Sequence, residues 1–156
     1  MIWEELSESL VMLDLEANTN TDVLEAVGGE LTKQGFGKET YVQALKEREE
    51  EFPTGLNIDG IGVAIPHTAV DYVDNAAIAI ATLAKPVQFE EMGMPEGCTV
   101  DVSLVFMLAV TDPQGHLKDL QRIIAILQDK SVLNKVLEAK SAAEVIEAIK
   151  EKEQTL

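Results

Sequence analysis

Three apolar runs without a charged residue constrain the fold of this chain more than any other feature. They cover 61–65, 76–83 and 102–110. None alternates cleanly between apolar and polar residues, which is typical of strands covered on both faces of a sheet. The second run fits a short buried helix equally well, because periodicity does not separate the two in so short a segment. A further strand is predicted at 11–15.

Segments with apolar residues at helical spacing separate and follow these runs. One helix with Val23, Ala26, Val27 and Leu31 follows the capping sequence 18–21, and a second is predicted over about 38–51. The last third carries three stripes: Leu117, Leu120, Ile123, Ile124 and Leu127; Val132, Leu133, Val136 and Leu137; Val145, Ile146 and Ile149. The stretches 52–60 and 84–101 contain Gly and Pro and are predicted to be a turn and a loop. Helices interleaved with buried strands predict an α/β fold.

Composition narrows the class of protein further. The chain has 156 residues, 46% of them hydrophobic, which is enough to bury the core of one domain over residues 1–156. Its 12 basic and 28 acidic residues give a net charge of −16, which argues against binding nucleic acid or an anionic membrane. The acidic N-terminal segment does not resemble a signal peptide, and the single cysteine, Cys98, excludes an intramolecular disulfide. These features predict a soluble, cytoplasmic protein.

Two histidines are candidate functional residues. His67 directly follows Pro66 at the end of a buried run, which places it at the rim of the sheet, where α/β folds build their sites. The alternative is an exposed loop histidine without a function. His116 follows Asp112 and Pro113, a predicted N-cap and first helical residue, so it lies where a helix N-terminus favours anions and can add backbone donors. Its alternative is a histidine at the edge of the core, bonded to a carbonyl.

Arg48 is the third candidate. It shares a helix face with Tyr41, Leu45 and Phe52, which are predicted to point inward. A guanidinium on that side needs an anion, because an unpaired buried charge is very costly. The anion is either a structural carboxylate or a transient phosphoryl group, which arginine binds through its planar fork. The acids of this helix, Glu47, Glu49, Glu50 and Glu51, are predicted to lie on its solvated face.

The segment Gly60-Ile61-Gly62-Val63-Ala64-Ile65-Pro66-His67 resembles the active-site signature of the enzyme IIA components of the sugar phosphotransferase system, fructose–mannitol type. Leu45-Lys46-Glu47-Arg48-Glu49 resembles the Leu-x-Glu-Arg-Glu helix of that family, and Gly115-His116-Leu117-Lys118-Asp119-Leu120 resembles its second-histidine helix. The order and spacing of the three agree over roughly residues 10–150. The insert 52–56 resembles the galactitol-specific branch. Thr68 stands where many relatives have glycine, which leaves the role of its hydroxyl open.

The resemblance implies a mixed β-sheet flanked by helices on both faces, with His67, Arg48 and His116 converging at its rim. It implies that His67 accepts a phosphoryl group from phospho-HPr and passes it to a cysteine of enzyme IIB. Enzyme IIB then transfers the group to the sugar alcohol, such as galactitol, that the membrane subunit, enzyme IIC, holds during uptake. Arg48 and His116 would stabilise the phosphoryl group, so that neither a metal ion nor another cofactor is needed.

Two alternatives use the same residues differently. A regulatory protein on this scaffold would signal to a partner through the phosphorylation state of His67, and transfer to an enzyme IIB distinguishes the two roles. A metal-dependent hydrolase would use His67, His116 and nearby carboxylates as ligands. The lack of a closely spaced ligand pair in the sequence disfavours that reaction.

Overall fold

The computed structural model describes residues 1–156 and contains one mixed five-stranded sheet. The strands are β1 (Val11–Leu15), β2 (Gly55–Ile58), β3 (Ile61–Ala64), β4 (Ala77–Glu90) and β5 (Thr99–Ala109). The helices are α1 (Asn20–Lys33), α2 (Tyr41–Glu51), α3 (Pro113–Leu127), α4 (Lys130–Glu138) and α5 (Ala142–Glu153). The strand order is β1-β4-β5-β3-β2. The β1–β4 and β3–β5 pairs are parallel, whereas β4–β5 and β2–β3 are antiparallel, which confirms the mixed sheet.

Helices cover both faces of the sheet, as predicted. On one face α1 and α2 pack in a core that includes Val27 and Leu45. On the other face α3, α4 and α5 pack in a core that includes Ile123 and Ile149. Because both faces are covered, β3 and the segments 77–83 of β4 and 102–109 of β5 are apolar runs without a charged residue. The ambiguous run 76–83 is therefore a strand. None of the helices combines the length and the apolar character needed to cross a bilayer.

The stretch 52–60, predicted to be a turn, contains strand β2, so that prediction is wrong. β2 pairs with β3 through a two-residue turn formed by Asp59 and Gly60. These residues have φ values of 51° and 90°. Asp-Gly is favoured in such hairpin turns because both central residues need positive φ. The hairpin places the start of β2 next to the end of β3.

The predicted loop 84–101 is also shorter than expected. β4 continues through Pro86 to Glu90, and the connection to β5 is confined to the residues between Glu90 and Thr99. The pairing of β4 with β5 shifts in register between Thr82 and Val87. Pro86 therefore lies at an irregularity of the ladder, which is where a strand tolerates a residue without an N–H donor.

One predicted core position in α1 and one in α3 are wrong. Ala26 is exposed, because the buried face of α1 contains Leu24 beside Val27. Leu117 is 56% exposed. α3 packs on the sheet only from its middle onward, where Ile123 is the first of its buried residues, so its N-terminal turn extends beyond the core.

Gly28 sets the distance between α1 and α2. A Cβ atom at this position would lie 2.8 Å from Cδ1 of Leu45, inside van der Waals contact. The helix continues through Gly28 and Gly29 although glycine is a poor helix former, because the missing side chain lets α2 approach. This close packing positions α2, which carries Arg48.

The carboxylate of Glu153 ties the N-terminal segment to α5. It accepts hydrogen bonds from the backbone N–H groups of Ile2 (2.8 Å) and Trp3 (2.9 Å). It also accepts one from Nε of Arg122 at 2.9 Å. Glu153 is 0% exposed, so these three donors compensate the cost of burying its charge.

We expect Glu153→Ala to lower the free energy of unfolding by about 3 kcal/mol, because it leaves these three donors without an acceptor. Glu151→Ala is the matched control on the same helix. Glu151 is exposed and lies 3.9 Å from Lys135, and such a surface pair contributes about 1 kcal/mol or less. Urea unfolding of both variants measures the difference. Equal, small losses would show that Glu153 is not an anchor.

Candidate functional site

Three segments of the chain meet at one edge of the sheet. β3 and β5 are parallel, so their carboxyl ends lie at the same edge. His67 follows β3, and His116 lies in α3, which follows β5. β2 begins at Gly55 opposite Ala64, the last residue of β3. The end of α2, which carries Arg48, therefore lies at this edge too.

The rings of His67 and His116 face each other there, with centroids 4.5 Å apart and planes inclined by 47°. Nδ1 of His67 lies 2.9 Å from the carbonyl oxygen of Ile65. A carbonyl oxygen only accepts hydrogen bonds, so Nδ1 carries the proton in this contact. Nε2 of the neutral ring is then left with a lone pair. His67 is thus oriented so that the lone pair of Nε2 is free, as a nucleophile requires.

Both histidines are shifted towards the neutral form. Burial lowers the pKa of His67; the hydrogen bond to Ile65 opposes this shift, whereas the charges of His116 and Arg48 add to it. Burial also lowers the pKa of His116, and the charge of Arg48 lowers it further. A neutral imidazole has the lone pair that nucleophilic attack requires. The charge of Arg48 thus favours the neutral form of both rings.

Arg48 has no carboxylate partner, although the chain contains 28 acidic residues. It takes part in none of the ion pairs, and its Nε is buried without a hydrogen-bond partner. Instead its guanidinium carbon lies 4.4 Å from the centroid of the Phe52 ring, in a cation–π contact. The structural carboxylate considered for Arg48 is therefore absent. Its N–H groups remain available for an anion.

Phe52 was predicted to point inward, and this is wrong, because it is 50% exposed. The backbone leaves the helical conformation at this residue, with φ −131° and ψ 83°. The helical stripe of α2 therefore does not extend to Phe52. Its half-exposed ring contacts Arg48 instead of joining the core.

His116 also has an unpartnered polar atom, since its Nδ1 is buried without a hydrogen bond. The carbonyl contact considered for this histidine is absent. Asp112 caps α3 and Pro113 is its first residue, as predicted. The cap, however, uses the Gln114 N–H, which donates to Oδ1 of Asp112 at 3.1 Å. This backbone donor, expected to help bind an anion, is therefore already engaged.

Two buried polar side chains near the site were not recognised as such from the sequence. Glu49 was predicted to be solvated, but it is only 6% exposed. The signal was present, because Glu49 follows Leu45 by four residues and so shares its inward face. Tyr41 was expected in the core, but its role is polar as well: its hydroxyl donates to the carbonyl of Leu108 at 2.8 Å.

The backbone around His67 is held from two sides. The Leu108 N–H donates to the carbonyl of Pro66 at 3.0 Å, which attaches the segment to β5. The Ile65 N–H donates to the carbonyl of Thr54 at 3.3 Å, which attaches it to the β2 side. Thr68 is buried, and its hydroxyl donates to the carbonyl of Ala69 at 2.8 Å. The Thr68 proton is thus used locally and does not point to a ligand.

The donor set of a metal hydrolase is missing from this edge. No group of three His, Cys, Asp or Glu side chains is arranged to hold a metal ion. A pocket of about 250 Å³ adjoins His116 and is lined by Glu5 and Asp119 among others. The pKa values of these two carboxyls are raised, first by burial; the charge of Asp119 raises that of Glu5 further. The nearest carboxyls to His116 therefore line one pocket with it, but they do not form a metal-binding group with the two histidines.

Burial raises the pKa of Glu49 from 4.5 to about 7, against the opposing hydrogen bonds from Thr54. Between these two values the folded chain holds a proton that the unfolded chain has lost, so stability falls as the pH rises. The loss reaches about 3 kcal/mol above the folded pKa. We expect Glu49→Gln, a neutral isostere, to lack this loss.

The measurement is urea unfolding of the wild type and Glu49→Gln at pH 5 and pH 8. Relative to the wild type, the variant should gain about 2–3 kcal/mol between the two pH values. The lowered pKa values of the histidines change stability in the opposite direction, but they do so in both proteins and cancel in the difference. Parallel pH dependence of the two proteins would show that Glu49 titrates normally.

The chain is similar over most of its length to proteins of one known family. Residues 4–152 match the family described as the phosphoenolpyruvate-dependent sugar phosphotransferase system, EIIA 2. The galactitol-specific EIIA component of Escherichia coli (strain K12) is 32% identical over 117 residues, which cover 75% of this chain and 77% of that protein.

Two solved structures resemble the fold. The nitrogen regulatory protein IIA-Ntr from Neisseria meningitidis has a TM-score of 0.77 and 32% identity, covering 95% of this chain and 98% of that one. The enzyme IIA of the Escherichia coli mannitol system, solved in complex with phosphorylated enzyme IIB, has a TM-score of 0.77 and 25% identity, covering 94% and 97%. The match over 4–152 and the similarity to the galactitol-specific component show that this chain belongs to the EIIA 2 family of the phosphoenolpyruvate-dependent sugar phosphotransferase system.

Proposed function

We propose that this phosphoryl carrier accepts its phosphoryl group on Nε2 of His67 from phospho-HPr and passes it to a cysteine of an enzyme IIB. The observation that carries the proposal is the meeting of a neutral His67, oriented by Ile65, with Arg48, which has no carboxylate partner. We propose that residues 1–156 act as one enzyme IIA domain in the cytoplasm. The membrane subunit, enzyme IIC, then takes part only indirectly.

The transfer step needs only positioning and charge stabilisation. The Nε2 lone pair of His67 attacks phosphorus in line while the P–N bond of phospho-HPr breaks, and that electron pair returns to the HPr imidazole. The ring of His67 then carries substituents on both nitrogens and becomes positively charged. The Nδ1–H bond to Ile65 stabilises this charge. Arg48 and His116 bind the equatorial phosphoryl oxygens.

The proposed substrate and partners of this chain are those of similar proteins. The galactitol-specific relative supports galactitol as the sugar alcohol taken up through this relay. The solved complex of a similar enzyme IIA with phosphorylated enzyme IIB supports an enzyme IIB as the acceptor. The exposed side chains of Phe52 and Leu117, which adjoin Arg48 and His116, offer apolar contact area for such a transient partner.

The experiment is intact mass spectrometry after mixing the chain with enzyme I, HPr and phosphoenolpyruvate, followed by addition of a galactitol-type enzyme IIB. The expected result is a gain of one phosphoryl group that is labile in acid and stable in base, and its loss when enzyme IIB is added. No gain in the presence of active enzyme I and HPr would contradict the carrier function. Retention of the group on addition of enzyme IIB would contradict the transport role.

A regulatory role is the second candidate, and one observation favours it. The nitrogen regulatory protein IIA-Ntr is 32% identical over 95% of this chain. A regulatory protein would be phosphorylated on His67 by the same chemistry but would not pass the group to an enzyme IIB cysteine. The second stage of the experiment therefore separates the two functions.

A further inference from the structure

We infer that Glu49 is a positioning residue that holds His67 in register with Arg48 through Thr54 and Ile65. Its kinetic consequences rest on the function proposed above, whereas its effect on the His67 ring does not. The residue is not a ligand of the phosphoryl group. It acts through the backbone that orients the nucleophile.

A continuous series of hydrogen bonds joins Glu49 to His67. The Thr54 N–H donates to Oε1 of Glu49 at 3.0 Å, and the Thr54 hydroxyl lies 2.8 Å from Oε1 and 3.0 Å from Oε2. The Thr54 carbonyl accepts from the Ile65 N–H at 3.3 Å. The Ile65 carbonyl then accepts from Nδ1 of His67 at 2.9 Å. The carboxylate thus holds the strand edge that selects the His67 tautomer.

The environment of Glu49 is not that of an ordinary ion pair. It is buried but forms no ion pair with a lysine or an arginine, and the charge of Glu90 on β4 makes its ionised form less favourable. A carboxylate buried without a cation costs stability. A residue that lowers stability while holding a strand beside the nucleophile fits a positioning role better than a purely structural one.

The sequence position of Glu49 links the position of Arg48 to that of the β2–β3 hairpin. Arg48 and Glu49 are consecutive in the last turn of α2. One side chain reaches the phosphoryl-binding edge, while the other fixes the entry of the chain into β2. Loss of the carboxylate frees the β2–β3 edge to shift relative to Arg48. A displacement of about 1 Å between reacting groups lowers a rate by up to about 100-fold.

The test compares four variants with the wild type. Glu49→Ala removes the acceptor, Glu49→Gln keeps an acceptor oxygen for Thr54, and Thr54→Val removes the hydroxyl but keeps the N–H. Glu50→Ala is the matched control, because Glu50 is the exposed neighbour on the same helix. Two readouts are used: kcat and KM for phospho-HPr, and the tautomer of the unphosphorylated His67 ring from its nitrogen NMR shifts.

We expect Glu49→Ala to lower kcat by about tenfold or more, with KM for phospho-HPr unchanged. The His67 ring should lose its preference for the Nδ1–H tautomer. Glu49→Gln should keep kcat within about threefold of the wild type and should keep the Nδ1–H tautomer of His67. Glu50→Ala should change neither kcat nor the tautomer. Wild-type kcat and tautomer in Glu49→Ala would overturn the inference, since Glu49 would then be structural only.

Two further outcomes are an unfolded Glu49→Ala variant and a wild type that accepts no phosphoryl group. If Glu49→Ala does not fold, Thr54→Val replaces it: a slower kcat with an altered tautomer supports the role, and wild-type values overturn it. If the wild type accepts no phosphoryl group, the proposed function fails. The tautomer of the unphosphorylated ring in the same variants still decides the positioning role, because that measurement needs no partner protein.

Discussion

A His67→Ala variant is expected to gain no phosphoryl group from phosphoenolpyruvate, enzyme I and HPr under conditions in which the wild type gains one. The only oriented nucleophile at the edge is Nε2 of His67, because its Nδ1 is engaged with Ile65. His116 lies beside it, with its ring centroid 4.5 Å away. Its proposed role is to bind the group, so we expect that it does not replace His67 as the nucleophile. Intact mass measures the gain directly.

The control for this variant is His116→Ala. It keeps the nucleophile and should still be phosphorylated, but more slowly, because one donor to the phosphoryl oxygens is lost. Acid lability and base stability of the added mass identify a phosphohistidine. Persistent phosphorylation of His67→Ala would move the nucleophile to another residue. Loss of labelling in His116→Ala with full labelling of His67→Ala would reverse the assigned roles.

Arg48→Ala is expected to slow phosphoryl transfer by more than about tenfold, which corresponds to about 1.4 kcal/mol or more of transition-state stabilisation. The chain should remain folded. Arg48 pairs with no carboxylate, so its removal leaves no buried acid unpaired. The contact that is lost is the cation–π interaction with Phe52, which contributes about 1 kcal/mol at an exposed site.

The second arginine of the chain provides the matched control. Arg122 donates to the fully buried Glu153 at 2.9 Å, so Arg122→Ala should lower the free energy of unfolding and leave the transfer rate unchanged. The two variants thus have opposite expected effects on rate and stability. Single-turnover phosphorylation and urea unfolding of both measure them. If Arg48→Ala unfolds the chain and spares transfer, Arg48 is a structural residue.

The candidate residues of the site were predictable because their signals are local. A histidine after a buried strand and a proline, and a histidine one turn into a capped helix, are recognisable without knowing the strand order. The predicted capping sequence 18–21 contains the N-cap of α1, Thr19, and Asp112 caps α3 as predicted, since capping depends only on residues within one turn. The resemblance around 60–67, 45–49 and 115–120 then added the family.

The burial of the acids on α2 was harder to predict. Glu49 and Glu50 are adjacent and identical in chemistry, yet only Glu49 is buried. Adjacent helical positions differ by about 100° around the axis, so treating the acids as one solvated run overlooks the single member that shares the inward face of Leu45. The prediction for Phe52 was wrong for another reason. The helix ends at Glu51, so helical spacing no longer gives the direction of the Phe52 side chain.

The sequence by itself determined that the runs 61–65 and 102–110 are buried strands, that the helices are capped and that His67, His116 and Arg48 are the candidate residues of the site. These features depend on hydrophobic patterning and short-range chemistry. Only the tertiary structure decided that β2 joins the sheet, that Arg48 has no carboxylate partner and that Glu49 bonds to Thr54 beside the His67 segment. The physical reason is that burial and pairing depend on packing between residues distant in the chain, which no local pattern encodes.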